Sequence, residues 1–225
     1  MAFSTSQHPY KDRRSAGVEL ASRLGKLKGR RDVVVLALPR GGVPVGYEVA
    51  RALDAPLDVF LVRKLGVPAH RELAMGAIAS GGVRVLNADV ISWYRVPEAV
   101  IDAVAREEQA ELERREREYR VGHPAAELEG RIVVLIDDGL ATGSTMKAAV
   151  EAVRSRAPAR IVVAVPVGAP DTCREFAGVA DEIVCAHAPD HFAAVGEWYL
   201  DFSQTTETEV RDLLRQASAS AARHS

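Results

Sequence analysis

Six consecutive apolar residues, Val33 to Leu38, stand between the charged Arg30-Arg31-Asp32 and the turn-forming Pro39-Arg40-Gly41-Gly42. An uninterrupted run of this length, rich in β-branched residues, predicts a strand covered on both faces, as in a parallel sheet. The pattern recurs at Leu57–Val62, Ile132–Ile136, Ile161–Val165 and, more briefly, at Val83–Leu86 and Glu182–Cys185. Between these runs the period lengthens to that of helices. Ser15–Leu27 carries Val18, Leu20, Leu24 and Leu27 on one face; Val43–Leu53 follows, with Pro44 tolerated in the first turn. Further helices are predicted over Pro97–Arg120, Met146–Arg156, Asp171–Ala177 and Thr205–Ala217. Leu65–Gly82 lacks a sustained period and reads as a long loop or small insertion. The first dozen residues and the Ser/Ala-rich last ones read as loosely held. Strands alternating with helices predict a doubly wound, mostly parallel α/β sheet with flanking helices, and ligands at the carboxyl ends of its strands.

Composition narrows the class without naming it. The 225 residues fit one domain, 1–225, and 48% apolar content is enough for a substantial core. A formal charge of −2 gives no electrostatic argument for a nucleic-acid partner. No apolar run approaches the roughly 18 residues of a membrane span, and the N-terminal residues have no leader-like hydrophobic core. Cys173 and Cys185 are not clustered with other metal ligands. The expectation is a cytoplasmic protein with reduced thiols and no membrane partner.

The chemistry is concentrated in Arg131–Thr145, RIVVLIDDGLATGST. A buried strand ends in two adjacent carboxylates, Asp137 and Asp138, and a small, hydroxyl-rich turn leads into a helix. Backbone N–H groups and hydroxyls at such a helix N-terminus hold phosphate; carboxylates there take sugar hydroxyls or Mg²⁺. Together these describe a sugar phosphate. Other phosphate motifs fail on spacing. Four residues after Gly139 comes Ser144 rather than the Gly-Lys of a P-loop, and the adjacent Gly41 and Gly42 do not make a dinucleotide fingerprint.

The segment resembles the fingerprint of the type I phosphoribosyltransferases: an apolar strand, two acids and a Thr-Gly-x-Thr loop. Asp137, Asp138, Thr142, Gly143 and Thr145 match it position by position, while Gly139 stands where a branched apolar residue is more usual. The resemblance implies that Ala141, Thr142, Gly143, Ser144 and Thr145 bind the 5′-phosphate of phosphoribosyl pyrophosphate (PRPP). It implies Mg²⁺ as cofactor, held by Asp137 and Asp138 partly through water or PRPP, and a catalytic role for both acids and Arg40. The turn after the first core strand holds pyrophosphate in that family. This assigns Arg40, Gly41 and Gly42, with Arg63 and Lys64 expected at another strand end on the same edge. His70 and Arg71 would tip a mobile loop.

A variable C-terminal hood that binds the acceptor base is implied over 187–204. Phe192, Trp198, Tyr199 and Phe202 are the aromatic candidates, Asp190 and Asp201 the polar ones, and Pro166–Gly168 another wall. The acceptor would be a purine or pyrimidine, and the reaction nucleotide salvage. The 97–120 helix, with Glu111–Arg115, Glu113–Arg117 and Glu116–Arg120 at helical spacing, has no basic stripe. It reads as a solvated insertion or, with the habit of the family, a homodimer contact. Two other readings stay open: a PRPP-sensing regulator without turnover, and a Mg²⁺-dependent hydrolase of a phosphorylated sugar or nucleotide.

Overall fold

The computed structural model describes residues 9–68, 70–120 and 124–221. The chain runs α1 (Arg13–Arg23), β1 (Val33–Ala37), α2 (Gly42–Leu53), β2 (Leu57–Val59), β3 (Val62–Val67), β4 (His70–Ala79), β5 (Val83–Leu86), α3 (Ala88–Tyr94) and α4 (Glu98–Arg120). It continues through β6 (Ile132–Ile136), α5 (Ser144–Arg154), β7 (Arg160–Val167), α6 (Pro170–Glu175), β8 (Glu182–His187) and α7 (Glu207–Ala221).

The runs at Val33–Leu38, Ile132–Ile136, Ile161–Val165 and Glu182–Cys185 become strands of one parallel sheet, while Leu57–Val62 divides between β2 and β3 and Val83–Leu86 joins a second sheet. β2, β1, β6, β7 and β8 lie side by side in that order, each pair parallel. Every residue of β1 and β6 is buried because both faces are covered. Val33 and Val35 pack with Leu20 of α1, with Leu24 just after it, and with Val45 and Val49 of α2. Val34 and Leu36 turn the other way, to Met146, Val150 and Val153 of α5. Alternate side chains thus enter opposite layers, as the pleat requires.

Leu65–Gly82 is not a loop. β3, β4 and β5 form a second, antiparallel sheet in that order. The signal is hidden in β4, HRELAMGAIA, where Ala and Gly replace the branched residues that mark strands. Gly76 looks like a breaker, yet a Cβ there would lie 2.4 Å from the Val85 carbonyl oxygen on β5, so close strand approach requires it. Arg63 and Lys64 consequently lie within β3 rather than at the end of a strand of the main sheet, and His70 and Arg71 open β4 rather than tip a loop.

The long helix α4 is likewise not free-standing. Ile101, Ala105, Leu112 and Tyr119 are buried against Leu65 and Met75 of the second sheet and Val210 and Leu213 of α7. Its three expected ion pairs form, at 2.8, 4.0 and 3.1 Å for Glu111–Arg115, Glu113–Arg117 and Glu116–Arg120. In α1 the buried face is Ala16, Gly17, Leu20 and Ala21, and Val18 is exposed. The chain before α1 is held: Tyr10 is buried and pairs with Tyr199, and Asp12 caps the helix in a reciprocal box with Ser15. Residues 1–8 and 222–225, part of the expected loose ends, lie outside the described residues; α7 itself continues to Ala221.

Candidate active site

β1 and β6 are neighbours in register, Ala37 beside Ile136, so the turns that follow them share one edge. The Leu38 N–H donates to the Ile136 carbonyl at 2.8 Å, extending the pairing to where Asp137 begins. Asp137 and Asp138 then leave the sheet half-buried. The Asp138 N–H donates to Asp137 Oδ1 at 2.9 Å. Loss of solvation, and secondarily the Asp138 charge, push the Asp137 carboxyl well above the ordinary carboxylate range; that N–H and Arg13 pull the other way. Asp138 Oδ2 accepts from Arg13 Nε at 2.8 Å.

After the acids the chain is tied to β7 through Leu140. Its N–H donates to the Val167 carbonyl and its carbonyl accepts from Ala169, both at 2.9 Å. Gly143 follows at φ 71°, where a Cβ would lie 2.6 Å from the Phe176 ring, so the turn into α5 needs glycine twice over. Thr172 of α6 donates its hydroxyl to the Ala141 carbonyl at 2.7 Å, bracing the turn from behind. Ala141, Thr142 and Ser144 are exposed in front of an eleven-residue helix. The Thr142 and Ser144 hydroxyls stand 3.4 Å apart. Unpaired N–H groups, the positive end of the helix dipole and these hydroxyls converge on a site suited to a phosphate dianion.

Opposite lies the turn after β1. The Pro39–Arg40 peptide bond is cis. Arg40 is half-buried, and its guanidinium makes no hydrogen bond or ion pair among the described residues. Both glycines here are close-approach residues. A Cβ on Gly42 would meet the Ile136 carbonyl oxygen at 2.8 Å, and one on Gly41 would meet Asp138 Oδ2 at 2.0 Å. The Gly42 N–H turns inward to the Leu38 carbonyl at 3.0 Å, so the donors this turn can offer an anion are the Arg40 guanidinium and the amides before Gly42.

Two partners of the acids come from far away in sequence. The Tyr199 hydroxyl donates to the Asp138 carbonyl at 2.5 Å. Arg13, at the first turn of α1, lays its guanidinium 4.0 Å from the Phe202 ring centroid and donates from Nη1 to the Ser203 carbonyl at 2.7 Å. Sequence reasoning missed Arg13. Its only signal is the Asp12-x-x-Ser15 cap that fixes where the helix starts.

The remaining candidates fall into groups. Tyr199 is buried with Tyr10, Ala16 and Val167, and Phe202 is stacked on it at 5.1 Å. Phe192, Val195 and Trp198 pack on the same cluster, half-buried. Val195 sits over the acid turn: a Cβ on Gly139 would lie 2.5 Å from its Cγ1, so this valine occupies the space that a branched residue at 139 would take. Arg63 is committed to Glu108 of α4, Lys64 is exposed, and the His70 ring lies 5.5 Å from that of Tyr94. The Cys173 and Cys185 thiols, 2.7 Å apart, lie beside Gly168. The Pro166 carbonyl accepts from the buried Tyr10 hydroxyl at 3.2 Å.

Two carboxylates offer hard oxygen donors of the kind Mg²⁺ takes while keeping water and substrate oxygens in its remaining positions. Arg13 engages Asp138 Oδ2 and the Asp138 N–H engages Asp137 Oδ1, leaving one oxygen of each carboxylate open among the described residues. The donor set fits the ion.

A parallel α/β sheet that brings a hydroxyl-rich turn, an acid pair and an arginine-bearing turn to one carboxyl edge has the chemistry to take a sugar phosphate. The chain belongs to the phosphoribosyl transferase domain family, which it matches over residues 14–202. It is 51% identical over 208 residues to "Putative phosphoribosyl transferase Rv0571c" of Mycobacterium tuberculosis H37Rv, and equally to its counterpart MT0597 in strain CDC 1551. Those matches cover 92% of this chain and 47% of each relative, so the chain spans about half the length of the curated relatives it matches. The crystal structure of TT1426 from Thermus thermophilus has the same fold, with a TM-score of 0.82 and 43% identity over 92% of this chain and 98% of that one.

Proposed function

We propose that the chain is a PRPP-dependent phosphoribosyltransferase that moves the 5-phosphoribosyl group to a ring nitrogen of a purine or pyrimidine and releases pyrophosphate. The supporting observation is the convergence on one sheet edge of the α5 N-terminus, the Asp137–Asp138 pair and the Arg40 turn. In this reading residues 1–225 act as one domain, with α4 and the second sheet as its flank and 187–204 as the hood.

The 5′-phosphate sits on the amides and hydroxyls of 141–145. Asp137 and Asp138 face the ribose hydroxyls, and Arg40 with the neighbouring amides holds the pyrophosphate. The base nitrogen forms its bond to C1 as the C1–oxygen bond to pyrophosphate breaks, through a transition state with positive charge on the ribose ring. The carboxylates stabilise that charge and Arg40 stabilises the negative charge on the departing pyrophosphate. Mg²⁺, when bound at the acids, adds charge neutralisation at the leaving group. The proton shed by the base passes to solvent or to Asp138. Phe192, Val195 and Trp198 are the hood residues left to face a base, because Tyr199 and Phe202 are engaged with the acids and Arg13.

The test is pyrophosphate release from Mg·PRPP across a panel of purines and pyrimidines. Release that requires one base supports the transferase. Release at the same rate without any base points to the hydrolase, and binding without release to a sensor.

A further inference from the structure

The acid pair is not held by its own loop alone. Asp138 receives Arg13 from the other end of the chain, 125 residues away, at 2.8 Å, and the two side chains are 17% and 11% exposed. The same guanidinium reaches the Ser203 carbonyl and covers the Phe202 face. It also flanks the pyrophosphate turn, since a Cβ on Gly41 would be 3.3 Å from Arg13 Nε. One side chain therefore touches the acid pair, borders the cationic turn and ties down the hood. Its own placement is fixed by the cap at Asp12, and it lies one residue before the region that matches the family.

We propose that Arg13 is the positioning residue of this site: it fixes the Asp138 carboxylate by its Oδ2, turns Oδ1 to the ligand, and locks the hood against the acid turn. The inference rests on the transferase reading. The planar, forked guanidinium suits the task, because it pairs with a carboxylate, donates to a carbonyl and stacks on an aromatic ring at once; an ammonium does only the first well. A rotationally free Asp138 meets the ribose in a spread of geometries, and misplacement of about an ångström is costly in rate and affinity.

The experiment is calorimetric titration of Mg·PRPP into wild type, Arg13→Gln and Arg13→Lys, with thermal unfolding of each. Arg13→Gln is expected to remain cooperatively folded and to bind about tenfold or more weakly, as when one partner of a shielded charge pair is removed. Arg13→Lys is expected to recover part of that loss, and millimolar methylguanidinium to recover affinity in Arg13→Gln but not in wild type. Should Arg13→Gln unfold, the Lys variant with and without methylguanidinium carries the same comparison. Wild-type affinity in folded Arg13→Gln, or a loss that neither lysine nor methylguanidinium repairs, overturns the assignment of Arg13 alone. A folded wild type that does not bind Mg·PRPP overturns the transferase reading and this inference with it.

Discussion

Gly41→Ala isolates the contact between the cationic turn and the acid pair. Gly41 has φ −60° and ψ −34°, a helical conformation that alanine adopts freely, so the backbone contributes no strain. Alanine there lowers the entropy of the unfolded chain and by itself stabilises by about 0.5–1 kcal/mol. The new methyl, however, stands 2.0 Å from Asp138 Oδ2 and 2.7 Å from its Cγ. The carboxylate must retreat by about 1 Å or more to reach an ordinary contact, and the 2.8 Å pair with Arg13 goes with it. Loosening a charge-assisted hydrogen bond at this exposure costs about 1–3 kcal/mol, so the net loss of stability is at most about 2.5 kcal/mol. At this chain length that lowers Tm by at most about 10 °C. Binding of Mg·PRPP should fall far more, by about tenfold or more, because Asp138 and the turn are displaced together. Urea unfolding followed by calorimetry measures both. Gly25→Ala, where an added Cβ meets nothing within 4 Å, serves as control. A Gly41→Ala protein that binds Mg·PRPP as wild type does would refute the reasoning.

Other perturbations probe the supports of the site. Thr172→Val removes the hydroxyl that donates to the Ala141 carbonyl at 2.7 Å; it should cost about 1 kcal/mol in urea unfolding and weaken phosphate affinity without altering the acids. Gly139→Val should clash with Val195 and loosen the hood, and Val195→Ala in the same chain should restore part of the lost stability, a coupling that a double-mutant cycle reads directly. Burial pushes the Tyr10 and Tyr199 phenols above their ordinary value of 10.0. The unfolded chain then sheds these protons first, so stability is retained below about pH 10 and falls as pH rises above it; Phe at both positions should flatten that slope in unfolding curves between about pH 9 and 11.

The main sheet was legible because strands buried on both faces must be apolar throughout, and Val33–Leu38 and Ile132–Ile136 leave no other reading. The turn into α5 was legible as a turn because Gly143 is the residue that takes a left-handed φ at no steric cost and Thr142 and Ser144 are polar enough to stand exposed before the helix. The second sheet was not, because β4 gains its stability from packing under α4 and against β5 rather than from strand-forming residues, and Gly76 reads as a breaker until Val85 is beside it. Arg63 suffered in turn, since its partner Glu108 lies on a helix whose charges look solvated in sequence. Arg13 was invisible because the Phe202, Ser203 and Asp138 groups that hold it come together only in the fold. The hood aromatics were read as one set, yet packing divides them: Tyr199 and Phe202 brace the acid turn, while Phe192 and Trp198 remain at its margin.

The most direct measurement is calorimetric titration of PRPP with and without Mg²⁺, into wild type and into the Asp137→Asn, Asp138→Asn double variant. Mg²⁺-dependent binding by wild type, lost in a double variant that still unfolds cooperatively, is the predicted result. A folded wild type that takes up no PRPP, or a folded double variant that binds it equally well, contradicts the account.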